Sequence, residues 1–231
     1  MTFAAGEVLH SVDIIIGYRT YLDLIPSYLE GKEVISSEMM KEVDRCRNAL
    51  ELVETGKNVA LVCGGDPGIY AMAGLVFELA RQNDHPGNIE VIPGLAAINS
   101  CAARLGAPLM HDFAAVSLSD LLTPWDLIEK RLTAVAMADF VTAIYNPKSK
   151  KRTDQIVRSQ EIFLEYRKET TPVGIVTAAT RENERVVITT LEKMLECEIT
   201  MQSTVIIGNS STFSWRDLMI TPRGYAGKYS L

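Results

Sequence analysis

Asn58-Val59-Ala60-Leu61-Val62-Cys63-Gly64-Gly65-Asp66-Pro67-Gly68-Ile69-Tyr70 decides the fold class. A strand-length apolar run ends in a glycine-rich turn, and a helical pattern opens behind it over 69–81. Glycines at such a turn let backbone approach a ligand closely, and the helix start that follows offers free N–H groups. Read alone, the stretch is either a tight strand-to-helix turn or a ligand loop. It is not a Walker loop, because no Gly-Lys-Ser/Thr follows.

Outward from this turn the same alternation repeats. Apolar, β-branched runs predict strands over 12–16, 58–63, 89–92, 115–118, 140–145, 173–177, 185–189 and 204–207. Continuous apolar runs point to strands covered on both faces, as in a mainly parallel sheet. Helical spacing predicts helices over 19–29, 40–55, 69–81, 95–105, 124–138 and 153–168. In 40–55, Val43, Cys46, Ala49, Leu50 and Val53 share a stripe, and Gly56 follows as a C-terminal cap. Thr123 stands as an N-cap before Pro124 in the first turn of the next helix. The alternation predicts an α/β fold. The proline-bearing stretch Gly106-Ala107-Pro108 places a boundary between lobes 1–108 and 109–231.

Composition narrows the function. The chain has 231 residues, 47% hydrophobic and 23% charged, enough to bury cores without staples. Lys plus Arg is 23 against 29 acidic residues, a net charge of −6 that argues against broad nucleic-acid binding. Cys46, Cys63, Cys101 and Cys197 show no C-x-x-C spacing, so no zinc or redox pair is expected and a reducing cytoplasm suits them. No signal peptide is visible, and the apolar runs fall far short of the roughly 20 residues of a membrane span.

Three more segments carry chemistry. Ile92-Pro93-Gly94-Leu95-Ala96-Ala97-Ile98-Asn99 is a second strand-to-helix turn, whose small residues suit either close helix–sheet packing or a flat ligand. His111-Asp112-Phe113 precedes Ser117-Leu118-Ser119-Asp120-Leu121-Leu122-Thr123-Pro124-Trp125. Histidine as a residue type serves in proton exchange, so His111 could exchange protons with a substrate, or simply pair with Asp112. Tyr145-Asn146-Pro147-Lys148-Ser149-Lys150-Lys151-Arg152 sets four basic residues behind a strand end, either as a solvated loop or as an anion site.

Taken together and in this order, the segments resemble the tetrapyrrole methylases, the class III S-adenosylmethionine-dependent methyltransferases. Gly17-Tyr18, Leu105–Phe113, Asp139-Phe140-Val141 and Thr221-Pro222-Arg223-Gly224-Tyr225 extend the likeness over the chain. The Gly-Asp-Pro and Pro-Gly turns mark the superfamily; the stretches 117–125 and 145–149 resemble the branch that methylates C-17 of precorrin-3B or cobalt-precorrin-3 in cobalamin biosynthesis. The resemblance implies two α/β lobes with the cofactor in the cleft between them, and a homodimer. It implies that Gly64, Gly65, Asp66 and Ile69 contact S-adenosylmethionine largely through backbone, with Ala96 and Ala97 on its other side and Tyr145, Ala178 and Gly208 completing the pocket. Lys148, Lys150, Lys151 and Arg152 would pair with the carboxylates of the tetrapyrrole.

Methyl transfer from a sulfonium is a displacement that needs alignment and exclusion of water, with no enzyme nucleophile and no protein-bound metal. The ring contraction that accompanies it in this branch requires proton movement, for which His111, oriented by Asp112, and the donors Ser117 and Ser119 are the catalytic candidates. The sequence departs from the family at its start: an opening strand and a Gly-x-Gly-Pro-Gly loop are expected ahead of Thr2 and are not in this sequence. Two other readings follow: a family methyltransferase acting on another precorrin carbon, on diphthamide precursors or on RNA ribose, or a non-catalytic tetrapyrrole-binding protein.

Overall fold

In the computed structural model residues 1–230 are described. They form two compact units, 1–96 and 97–230.

The first unit begins with α1 (Phe3–Ser11), whose N-cap Thr2 accepts the Ala5 N–H through its hydroxyl at 3.2 Å. Then come β1 (Ile14–Tyr18), α2 (Arg19–Leu22), β2 (Glu33–Ser37), α3 (Glu42–Glu54), β3 (Val59–Val62) and α4 (Ala73–Gln82). The strands form a parallel sheet in the order β2-β1-β3. Alternation along β1 divides the core. Ile15 packs with Leu9, Val12 and Leu22, whereas Ile14 and Ile16 pack with Ala49 of α3. A further cluster joins Cys46 and Leu50 of α3 to Leu79 and Ala80 of α4.

The second unit contains α5 (Ala97–Leu105), β4 (Gly106–Ala107), β5 (Phe113–Ser117), α6 (Trp125–Met137), β6 (Val141–Tyr145), α7 (Asp154–Leu164), β7 (Pro172–Thr177), β8 (Arg185–Thr190), β9 (Ser203–Ile207), β10 (Phe213–Trp215) and β11 (Leu218–Ile220). Five strands run in the order β5-β6-β9-β7-β8, and a small sheet has the order β10-β11-β4. Val173 and Ile175 of β7 join the core with Leu132 of α6 and Phe163 of α7. Gly174 between them faces the other way: a Cβ there would lie 2.3 Å from Leu105 Cδ1, so glycine lets α5 seat against the sheet. That packing draws α5 and β4 into the second unit, and the division falls at Ala96–Ala97 instead of at Pro108.

Other expectations change as well. Only β5 and β6 are parallel in the large sheet; β9 pairs antiparallel with both β6 and β7 although every one of its residues is buried. Its burial comes from cover on both faces, which does not dictate strand direction. The expected helix over 19–29 is cut to α2 plus a short 3-10 turn at Pro26–Tyr28, because proline removes a donor and crowds the preceding turn. The helix expected from Ile69 starts at Ala73, since Tyr70 holds a left-handed φ of 52° that a right-handed helix cannot include. Residues 89–92 find no partner strand among the described residues, although Ile89 packs on the α3–α4 cluster. Pro124 occupies the N-cap of α6, and no side chain caps that end.

Candidate active site

In the first unit the glycine-rich turn is locked to the turn at 93–94 by one carboxylate. Asp66 Oδ1 accepts the Gly68 N–H at 2.8 Å, and Oδ2 accepts the Gly94 N–H at 3.0 Å. Both oxygens are therefore used on the backbone, and Asp66 shapes the loop. The two turns also touch directly: a Cβ on Gly94 would sit 2.0 Å from the Gly65 carbonyl oxygen. Gly65 has a φ of 83°, a conformation that side chains rarely adopt. Gly64 lies under the Tyr21 ring, where a Cβ would meet the ring at 2.6 Å. Ile69 and Tyr70 are exposed on the glycine-rich loop, and Ala96, two residues past Gly94, is buried.

The second unit gathers the ends of β5, β6, β7 and β9. Tyr145, at the end of β6, accepts the Ile98 N–H on its hydroxyl at 2.8 Å and so satisfies a free donor in the first turn of α5, beside the exposed Ala97. Asn146 follows at φ 49° and donates from Nδ2 to Ser117 Oγ at 2.9 Å. Ser117 Oγ also accepts the Ser119 N–H at 3.2 Å. Arg152 donates from Nη1 to Leu118 O and from Nη2 to Asn146 O, both at 2.8 Å. Burial pulls this guanidinium below its ordinary value, opposed by the Asp120 carboxylate. Arg152 thus ties two loops together, while Lys148, Lys150 and Lys151 meet no carboxylate at ion-pair distance among the described residues.

Ala178, just past β7, is buried yet holds φ 51°, and Thr180 holds φ 65°. Backbone of this kind persists only when its surroundings enforce it. Here Glu184 accepts the Thr180 N–H and the Arg104 Nε–H, the latter at 2.9 Å. The backbone hydrogen bond, and after it Arg104, hold the Glu184 carboxyl below its usual range. Gly208, after β9, donates its N–H to Pro172 O at 2.9 Å, and a Cβ there would strike Thr212 at 2.7 Å.

His111 and Asp112 stand apart from this network and are exposed. The Asp112 N–H donates to His111 Nδ1 at 2.9 Å, which leaves the ring proton on Nε2 while the ring is neutral. The Asp112 carboxylate lies 3.8 Å from that same nitrogen, too far for a hydrogen bond. Sequence reasoning passed over Asn146 and Glu184. The first had a legible signal, an asparagine at a strand end where left-handed backbone is tolerated; the second had none. Among the described residues no group of His, Cys, Asp and Glu side chains could hold a metal ion, and no helix is long and apolar enough to cross a membrane.

Glycine-rich loops and strained strand ends stand at the carboxyl ends of strands in each α/β unit, where open sheets of this kind bind ligands. The family described as Tetrapyrrole (Corrin/Porphyrin) Methylases matches residues 1–195. A cobalt-factor III methyltransferase from Priestia megaterium is 53% identical over the whole chain, which spans only 44% of that relative. A probable cobalt-factor III C(17)-methyltransferase from Salmonella typhimurium is 46% identical over 97% of this chain and 93% of its own length. The crystal structure of the methyltransferase CobJ superposes with a TM-score of 0.89 at 34% identity, covering 96% of this chain and 93% of that one. The chain belongs to the tetrapyrrole methylase family.

Proposed function

We propose that this chain methylates C-17 of cobalt-factor III or the corresponding precorrin, with contraction of the ring, in cobalamin biosynthesis. The observation that carries the reading is the 46% identity to the Salmonella typhimurium relative over nearly the full length of both chains. The specific stretches 117–125 and 145–152 lie in one hydrogen-bonded network, which supports it.

S-adenosylmethionine supplies the electrophilic methyl group when bound. The residues of each unit suit such a ligand. In the first unit Gly64, Gly65 and Asp66 present a loop of backbone with no side chain at its tightest point, and exposed Ile69 offers apolar surface. In the second unit Ala97, Tyr145, Ala178 and Gly208 place small residues and one ring at strand and helix ends. Within its own unit, each set binds and orients the donor through backbone and small apolar groups. Lys148, Lys150 and Lys151 hold substrate carboxylates, and Arg152 holds the loop that carries the lysines. Ser117 and Ser119 donate hydrogen bonds to the macrocycle. His111 moves a proton through Nε2, the nitrogen its neighbour leaves protonated.

Isothermal titration with S-adenosylhomocysteine tests the donor site. Saturable one-site binding, weakened at least tenfold by Gly65→Arg, is expected; no binding by the folded protein contradicts the reading.

A further inference from the structure

Ser119 to Thr123 leaves two successive leucines in water. Leu121 is 73% and Leu122 is 92% exposed. Single exposed leucines are ordinary, but adjacent ones on a tethered loop form an apolar surface without cover. The tethers are explicit. Leu118 is fully buried, and its N–H donates to Tyr145 O at 2.9 Å. Asp120 Oδ2 accepts from Gln155 Nε2 at 2.8 Å. Beyond the leucines, Trp125 packs against the core. Held on both sides, the loop presents its leucines outward.

The same network joins this loop to the lysine segment. Asn146 donates to Ser117 Oγ, and Arg152 bridges Leu118 O and Asn146 O. One rigid hydrogen-bonded frame therefore displays two apolar side chains and, within a few residues of its Arg152 strut, three ammonium groups with no carboxylate partner among the described residues. A ligand complementary to both has an apolar body and a rim of carboxylates, which is the chemistry of a polycarboxylate tetrapyrrole. We propose that Leu121 and Leu122 are specificity-determining residues that pack on the apolar macrocycle while Lys148, Lys150 and Lys151 pair with its peripheral carboxylates. This rests on the reading of the chain as a tetrapyrrole methyltransferase.

The test titrates wild type and Leu121→Ser/Leu122→Ser with cobalt-factor III by absorbance, with S-adenosylhomocysteine by calorimetry, and weighs both proteins by sedimentation. Each leucine removed should weaken cobalt-factor III binding roughly tenfold, with affinity for S-adenosylhomocysteine and oligomeric state unchanged. Lys148→Ala/Lys150→Ala/Lys151→Ala should weaken it too and flatten its salt dependence. Equal cobalt-factor III affinity in wild type and the leucine variant overturns the proposal alone. So does a change of oligomeric state, which would make a second copy the cover. Absence of cobalt-factor III binding by wild type overturns the functional reading together with it. Should the double variant melt early, Leu122→Thr alone carries the same expectation at a smaller fold-change.

Discussion

At the scale of single residues, Gly94 and Asp66 fix the loop on which the first unit's binding surface depends. The contact between Gly94 and the Gly65 carbonyl leaves no room for a methyl group, so Gly94→Ala must push two turns apart. Overpacking against backbone predicts a loss of about 3 kcal/mol in urea unfolding, with affinity for S-adenosylhomocysteine falling as well. Asp66→Ala removes two charge-assisted hydrogen bonds and should cost about 2 kcal/mol; Asp66→Asn, which can keep one acceptor, should cost less. Unchanged urea midpoints in these variants would contradict the clamp. The importance of Gly65, Asp66 and Gly94 was legible as a motif, but the job of Asp66 was not. Spacing shows that a carboxylate stands in a glycine turn, and only the fold shows that a second turn, reached through α4 and the 89–92 segment, supplies the other N–H.

At the scale of elements, the turn after β7 stores strain that another element offsets. Ala178→Gly relieves the left-handed φ of 51° and should raise stability by about 0.5 kcal/mol, part of the gain being lost to the freer unfolded chain. Glu184 restrains the same turn from the start of β8. Its carboxyl is held below the ordinary 4.5, so its contribution is present above that value and is lost as pH falls through the lower folded value. Wild type should therefore melt above Glu184→Gln at pH 7, and the difference should shrink as pH falls below the ordinary carboxyl value of 4.5. A constant difference at all pH values would place the effect elsewhere. The strands that the sequence announced, β1, β3, β5, β6, β7, β8 and β9, are those with apolar or β-branched runs, and β1, β6, β7 and β9 among them are mostly buried. Those that escaped, β2, β4, β10 and β11, are short or largely exposed: two or three residues in β4, β10 and β11 are too few to show a period, and β2 mixes polar with apolar residues. The 89–92 run failed in the opposite sense: it is apolar, but a strand needs a neighbour, and none lies beside it among the described residues.

At the scale of the molecule, each unit has its own core, and the four cysteines are free thiols distributed between them. Burial pushes Cys46 up to about 11, helped by the neighbouring Cys63 thiol, and burial likewise raises Cys63 and Cys101. Cys197 is partly exposed. At pH 8 a disulfide reagent such as 5,5′-dithiobis(2-nitrobenzoate) should label Cys197 first, Cys63, equally half-buried but with a raised pKa, more slowly, and Cys46 and Cys101 only on unfolding in guanidinium. Fast labelling of Cys46 would contradict the packing of α3 against α4. The α/β class was readable from alternation alone, whereas the mixed direction of the larger sheet was not, because burial on both faces is common to parallel and antiparallel strands in such a layer.

The central claim is methyl transfer to a tetrapyrrole. The protein should be incubated with methyl-labelled S-adenosylmethionine and cobalt-factor III, and the macrocycle then examined by mass spectrometry and NMR. One labelled methyl at C-17, with one S-adenosylhomocysteine released per methyl, is the predicted result. Label at another carbon, or an unaltered macrocycle from a protein that binds S-adenosylhomocysteine, would contradict it.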